Sequence, residues 1–169
     1  FDLTLHRELI TTPTVDSMLL EGNLLYIQIS EFSPQTGKQL LEHVRKYDLD
    51  AIQGIIIDER NNSGGAVDGA MQAANVFLDE GKTIVTIQGK RGSSRDQRYL
   101  SSNKAEVSED IPIVVLTNGG SASSAEIFAA AMRDNNRAVL VGEKTFGKGI
   151  VQDVFKFGDG FAQVTTAHY

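Results

Sequence analysis

Apolar positions along the chain fall into short runs and helical stripes that alternate. Leu24 to Ile29 has the length and composition of a strand. Ser33-Pro34 then reads as a helix start, with serine as N-cap and proline at the first helical position. Leu40, Leu41, Val44 and Tyr47 share one face of that helix. Gly54-Ile-Ile-Ile-Asp58 is a short strand of the buried type, and Gly64-Gly65 leads into a second helix over Val67 to Leu78. Thr83 to Gln88 alternates as a strand. Lys90 to Asn103 is polar and reads as a long, solvated loop. Ile111 to Leu116 is a buried-type strand, and Ser121 to Arg133 a third helix. Ala138 to Val141, Val151 to Phe157 and Phe161 to Thr166 are strands, the last two joined by a Gly158-Asp159-Gly160 hairpin turn. Strand and helix in turn predict an α/β fold, a layered sheet-and-helix core with a late β-hairpin.

Composition narrows the picture. The 169 residues suit one domain, with 41% hydrophobic residues to fill its core. A net charge of −6 argues against nucleic acid as a partner. No apolar run approaches membrane-spanning length. There is no cysteine, so thiol catalysis and disulfides are excluded. No His/Asp/Glu spacing suggests a metal site, and nothing calls for a cofactor. His6 and His43 read as surface or packing residues, and His168 lies near the chain end.

Three blocks carry candidate chemistry. In Asn118-Gly-Gly-Ser-Ala-Ser-Ser-Ala-Glu126 a strand runs through glycines into a helix, leaving Ser121, Ser123 and Ser124 as candidate nucleophiles. Ser123-x-x-Glu126 is also a capping box, which needs no chemistry at all. A helix N-terminus nevertheless offers N–H groups and a favourable dipole to a developing oxyanion. In Thr145-Phe-Gly-Lys-Gly-Ile-Val-Gln152, glycines flank Lys148, whereas Lys144 reads as an ordinary surface lysine. A lysine base must be neutral, so the ordinary value of about 10.4 must fall, as burial can bring about. Gln152 could orient the amine without adding charge. In the third block, Asp58-Glu-Arg-Asn-Asn-Ser-Gly-Gly65, a glycine N–H could point into a site.

In this order the three blocks resemble those of the carboxyl-terminal processing peptidases, or tail-specific proteases, from Glu8 to the end of the chain. The resemblance implies Ser123 as nucleophile, Lys148 as general base and Gln152 as its orienting partner. It implies an oxyanion hole from the backbone N–H groups of Ser124 and of a glycine in the Gly64-Gly65 pair, Gly65 by preference, and a supporting role for Asp134. Glu59 stands where the family usually has leucine, Ser63 where proline is common, and Ser124-Ala125 where alanine-serine is usual.

The resemblance further implies a spiral core of the ClpP/crotonase type and a serine endopeptidase that cleaves extended polypeptides near their C-termini. A peptide-binding PDZ domain is expected upstream, with Phe1 to Ile10 as its exit, and a further segment after residue 169. Homo-oligomer formation is left open, and an extracytoplasmic location, in the periplasm or cell envelope, is expected. The alternatives are a catalytically idle peptide-binding or assembly module of the same fold and, more weakly, an acyl-CoA enzyme.

Overall fold

A computed structural model describes residue 4, residues 12–89 and residues 96–169. In chain order its elements are β1 (Val15–Leu20), β2 (Leu24–Ile29), α1 (Thr36–Val44), β3 (Gly54–Asp58), α2 (Val67–Asn75), β4 (Thr83–Gly89) and β5 (Gln97–Leu100). There follow β6 (Ile113–Thr117), α3 (Ser124–Asp134), β7 (Val139–Gly142), β8 (Ile150–Phe157) and β9 (Gly160–His168). This is the mixed α/β architecture that the alternating pattern predicts. The expected PDZ exit at Phe1 to Ile10 lies, but for Thr4, outside the described residues.

One sheet has the order β1-β2-β3-β6-β7. Its β1 is antiparallel to β2, and β2, β3, β6 and β7 run parallel. Parallel neighbours need crossovers, which α1, α2 and α3 supply. Leu25, Ile27 and Ile29 of β2 are fully buried, as are Ile55 and Ile57 of β3 and Val115 of β6. Intervening residues such as Tyr26, Ile56 and Val114 are half-buried, so each strand has a core face and an outer face. Phe128 of α3 packs between Phe32 and Phe77, with ring centroids 6.0 and 6.2 Å apart. Edge-to-face and tilted aromatic contacts of this kind add to the burial term.

A second sheet has the order β5-β4-β9-β8. β4 pairs with β5 from Thr83 to Ile87 but meets β9 only at Gln88 and Gly89. Much of the other edge of β4 is therefore left to face α3.

Several expectations need correction. The polar stretch to Asn103 is not all loop, because Gln97–Leu100 forms β5; residues 90–95 lie outside the described residues. Val15–Leu20 is a strand that the apolar pattern does not announce. The first helix begins at Thr36, not at Pro34, and Gln35 is its N-cap. Ser33 instead shapes the turn ahead of it: its Oγ accepts from the Gln35 N–H and its own N–H donates to Thr36 Oγ1.

Candidate active site

The two blocks around Asp58 and Asn118 lie 60 residues apart in the chain, yet both leave the carboxyl ends of neighbouring parallel strands. Asp58 of β3 is paired with Leu116 of β6, so their loops emerge side by side. Ligands in α/β sheets gather at such carboxyl ends. The two loops are then stitched together. Ser121 Oγ donates to Glu59 O at 2.7 Å, the Ala122 N–H to Asn62 O at 2.9 Å, and Ser124 Oγ to Gly65 O at 2.9 Å. Asn118 Oδ1 accepts from the Asn61 N–H at 2.9 Å, and Asn118 Nδ2 donates to Asn61 Oδ1 at 3.0 Å.

Close approach explains the glycine pair. Gly64 has φ +100°, and a Cβ there would lie 2.6 Å from Ala122 O and 2.8 Å from Ser123 Cβ. Gly65 has φ +130°, and its Cβ would fall 2.1 Å from Phe32 O. Only glycine fits either position. Asn62, fully buried, anchors the loop: its Nδ2 donates to Ile29 O and its Oδ1 accepts from the Gly64 N–H, each at 2.9 Å. The Gly64 N–H is thereby committed. Among the described residues, the N–H groups of Gly65 and Ser124 make no hydrogen bond.

The three candidate serines separate clearly. Ser121 and Ser124 are buried, and both hydroxyls are bound to carbonyls. Ser123 is half-buried and faces a cavity of about 590 Å³. It is the N-cap of α3, with φ 56° and ψ −115°. That conformation is sparsely populated for a non-glycine residue and marks a site where the surroundings hold strain.

Lys148 is half-buried and lines the same cavity between Gly147 and Gly149, whereas Lys144 is exposed and lies outside it. Among the described residues no hydrogen bond joins the Ser123 hydroxyl to the Lys148 amine. Gln152 is not part of the cavity wall, and its Oε1 accepts from Gln163 Nε2 at 3.1 Å across the β8–β9 pair. The register shifts between Val151 and Gln152, and a one-residue shift turns a strand's side chains to opposite faces. Asp134 does line the cavity, but eleven residues along α3 from Ser123, about 16 Å by helical rise. Its carboxylate is paired with Arg133 Nε at 2.7 Å.

Two residues on the cavity wall are absent from the sequence-based candidates. Tyr169 lines it at the end of the chain, and burial raises its phenol above the ordinary value. Glu126 is the second. Its capping role is legible, and the Ser123 N–H does donate to Oε2 at 2.8 Å. The same carboxylate also accepts from Thr145 Oγ1 at 2.7 Å, the Gly147 N–H at 2.7 Å and the Lys148 N–H at 2.9 Å. Burial pushes the Glu126 pKa up, but the bonds from Thr145, Gly147, Ser123 and Lys148 together outweigh it, and the net shift is downward.

Beneath the site two adjacent carboxyls diverge. Asp58 is buried, which raises its pKa, yet Arg60 and Tyr26 bind it and the net shift is downward. Glu59 is wholly buried with no partner for either carboxyl oxygen among the described residues. Burial, reinforced by the Asp58 charge, holds its carboxyl well above the usual 4.5. Among the described residues no group of three His, Asp or Glu side chains could hold a metal ion.

Comparison with known proteins bears on this arrangement. A profile of peptidase family S41 matches residues 23–169. The carboxy-terminal processing protease CtpA of Bacillus subtilis (strain 168) is 38% identical over 159 residues, covering 94% of this chain and 33% of that protein. A "Probable CtpA-like serine protease" of Staphylococcus aureus (strain N315) is also 38% identical, over 94% of this chain and 32% of its own length. The chain thus spans about a third of these relatives. Among solved structures, a photosystem II D1 C-terminal processing protease superposes with a TM-score of 0.78 at 28% identity, over 94% of this chain and 44% of that one.

Proposed function

The chain belongs to peptidase family S41, as a fragment of a carboxyl-terminal processing peptidase, and from that premise we propose that it is the catalytic core of a serine endopeptidase working through a Ser123–Lys148 dyad. One observation carries the proposal. The strained Ser123 and the glycine-framed Lys148 line one cavity, and the N–H groups of Ser124, next in the chain to Ser123, and of Gly65 are uncommitted among the described residues.

In the proposed reaction Ser123 Oγ attacks the scissile carbonyl carbon and its proton passes to Lys148 Nζ. The carbonyl oxygen, now negative, takes the N–H groups of Ser124 and Gly65. A donor of this kind is worth about a hundredfold or more in rate. Lys148 returns the proton to the leaving amine as the peptide bond breaks. Water then attacks the acyl ester while Lys148 takes its proton; the bond from the acyl carbon to Ser123 Oγ breaks, Lys148 returns the proton to Oγ, and the acid product leaves. Gln152 is assigned the orienting role by resemblance; to fill it, its side chain would have to leave Gln163 and turn to the amine. Asp134 is assigned a supporting role at the far end of the cavity, away from the reacting atoms.

The substrate is proposed to be an extended polypeptide, entering near its C-terminus. The open edge of β4 supports this, because Thr83 to Thr86 face the cavity beside α3 and could add a strand main chain to main chain. We extend the proposal to the whole protein: a PDZ domain upstream, an extracytoplasmic location and, where it assembles, a homo-oligomer. The parallel βαβ crossovers are likewise taken as part of a ClpP/crotonase-type spiral.

Two structural facts favour a second reading, a catalytically idle peptide-binding module. They are the missing Ser123–Lys148 hydrogen bond and the outward pairing of Gln152. Reaction of the full-length protein with a fluorophosphonate, with mass spectrometry of the labelled peptide, decides between the two. Labelling at Ser123, lost in Lys148→Ala, is expected. No labelling in folded protein selects the idle module, and labelling at Ser121 or Ser124 overturns the dyad.

A further inference from the structure

Each oxygen of Glu126 accepts two hydrogen bonds. Oε1 takes Thr145 Oγ1 and the Gly147 N–H; Oε2 takes the Ser123 N–H and the Lys148 N–H. A carboxylate has about four lone-pair sites, so this one is filled. The donors come from two segments. One is the strained nucleophile itself; the other is the turn that carries the lysine, 19 to 22 residues further on. Apart from Glu126, the described backbone anchors of the 145–149 turn to other segments are the Phe146 N–H to Ser121 O at 2.9 Å and the Tyr169 N–H to Gly149 O at 3.0 Å.

Resting on the reading of Ser123 and Lys148 as a dyad, we propose that Glu126 is a positioning residue: its ionised carboxylate latches the lysine turn onto the nucleophile's backbone and so sets the geometry of the pair. None of the four bonds of its carboxylate goes to the Ser123 hydroxyl or the Lys148 amine. A neutral carboxylic acid cannot serve as well, because its proton occupies one acceptor site and removes a bond. Glutamine is worse, since in either orientation its NH2 would face at least one N–H donor. The latch therefore holds wherever Glu126 is ionised. Its folded pKa is depressed, so the docking is complete above the ordinary 4.5 and is lost only as pH falls through the lower folded value.

The test uses the full-length protein, with Glu126→Gln and Thr145→Val beside the parent. Two readouts are followed against pH: the rate of fluorophosphonate acylation, and hydrogen exchange at the amides of Gly147 and Lys148. In the parent, both amides should stay protected until the pH falls below the usual carboxylate range. In Glu126→Gln they should exchange fast at every pH, with the acid-dependent change gone and the β2 and β3 amides unaltered. Acylation should slow on the order of a hundredfold, as expected for a misplaced catalytic group, and kcat on a cleavable peptide should fall far more than KM changes. If Glu126→Gln loosens the whole domain, Thr145→Val decides. It removes one donor and keeps the Ser123 N–H bond, so exchange at Gly147 and Lys148 should quicken and acylation slow by a smaller factor.

Unchanged exchange and acylation in a folded Glu126→Gln, or in Thr145→Val where the first variant unfolds, overturns the latch. A parent protein that is never acylated overturns the dyad instead. The exchange readout still separates a real latch from none in that case.

Discussion

Glu59 gives the sharpest test of the electrostatics. It follows β3 directly, its N–H continuing the ladder to Leu116 O at 2.9 Å, and its side chain is wholly buried without a partner. Burying a neutral polar group unpaired costs about 1–3 kcal/mol by mutational measure. Leucine has a similar volume, so Glu59→Leu should stabilise the fold by that amount while leaving intact the backbone carbonyl that Ser121 and Asn62 use. The gain should grow with pH. Burial and the Asp58 charge raise the folded pKa well above 4.5. Glu59 thus keeps its proton in the fold after losing it in the unfolded chain. Its contribution is complete below about 4.5 and declines as pH rises towards the folded pKa, by about 1.4 kcal/mol per pH unit across that window.

His43 acts with the opposite sign. Burial and Lys46 lower its pKa below 6.5, so its contribution rises with pH up to that value. It is common to both proteins and cancels in their difference. The assay is urea unfolding of parent and Glu59→Leu from pH 4 upwards. The difference in unfolding free energy should start at about 1–3 kcal/mol and widen with pH. A pH-independent difference, or a destabilised variant, would refute the view of Glu59 as a buried neutral acid.

Other outcomes follow from the same geometry. Ser123→Ala and Lys148→Ala should each abolish nearly all peptide cleavage by the full-length enzyme, and the double mutant should be little worse, as steady-state kinetics would show. Ser121→Ala should instead cost about 1–3 kcal/mol of stability, read from denaturant unfolding, because it removes one of the two donors to Glu59 O and the hydroxyl that accepts from the Asn118 N–H. Gly64→Ala should lose acylation at Ser123, since its Cβ would strike Ala122 O and Ser123 Cβ; an unaltered labelling rate would count against the close packing. Arg137 is buried and donates to Phe77 O, Ile111 O and Ser108 O. Arg137→Met should therefore cost about 3 kcal/mol or more by thermal unfolding, as buried carbonyls are left unpaired.

Local pattern alone determined a good deal about this protein. The apolar periods of β2, β3, β6 and α3 report which faces are buried, because burial acts on every residue of an element with that element's own period. The glycine pair, the serine turn and the glycine-framed lysine are legible too, since each is a short-range demand of the backbone. Where burial is incomplete the pattern fails. β1 leaves Met18, Leu19 and Leu20 largely exposed, and β5 is polar, so only pairing with a neighbour makes them strands.

What joins the blocks is tertiary. The parallel pairing of β3 with β6 sets the glycine loop beside Ser123, and Ser124 and Ala122 close the gap through bonds that no spacing encodes. A capping box in the sequence accounts for one bond to Glu126; the other three come from a turn that reaches it only when the chain folds. Gln152 shows the converse. Its position in the motif suggests a partner for the lysine, but the register of β8 and β9 decides which way its side chain points. Glu59 likewise looks like one more polar loop residue in the sequence, and only packing on every side makes it a buried acid. Sequence reports the chemistry each residue carries and the period of its element. Long-range pairing, which depends on contacts between distant segments, decides which of those chemistries meet.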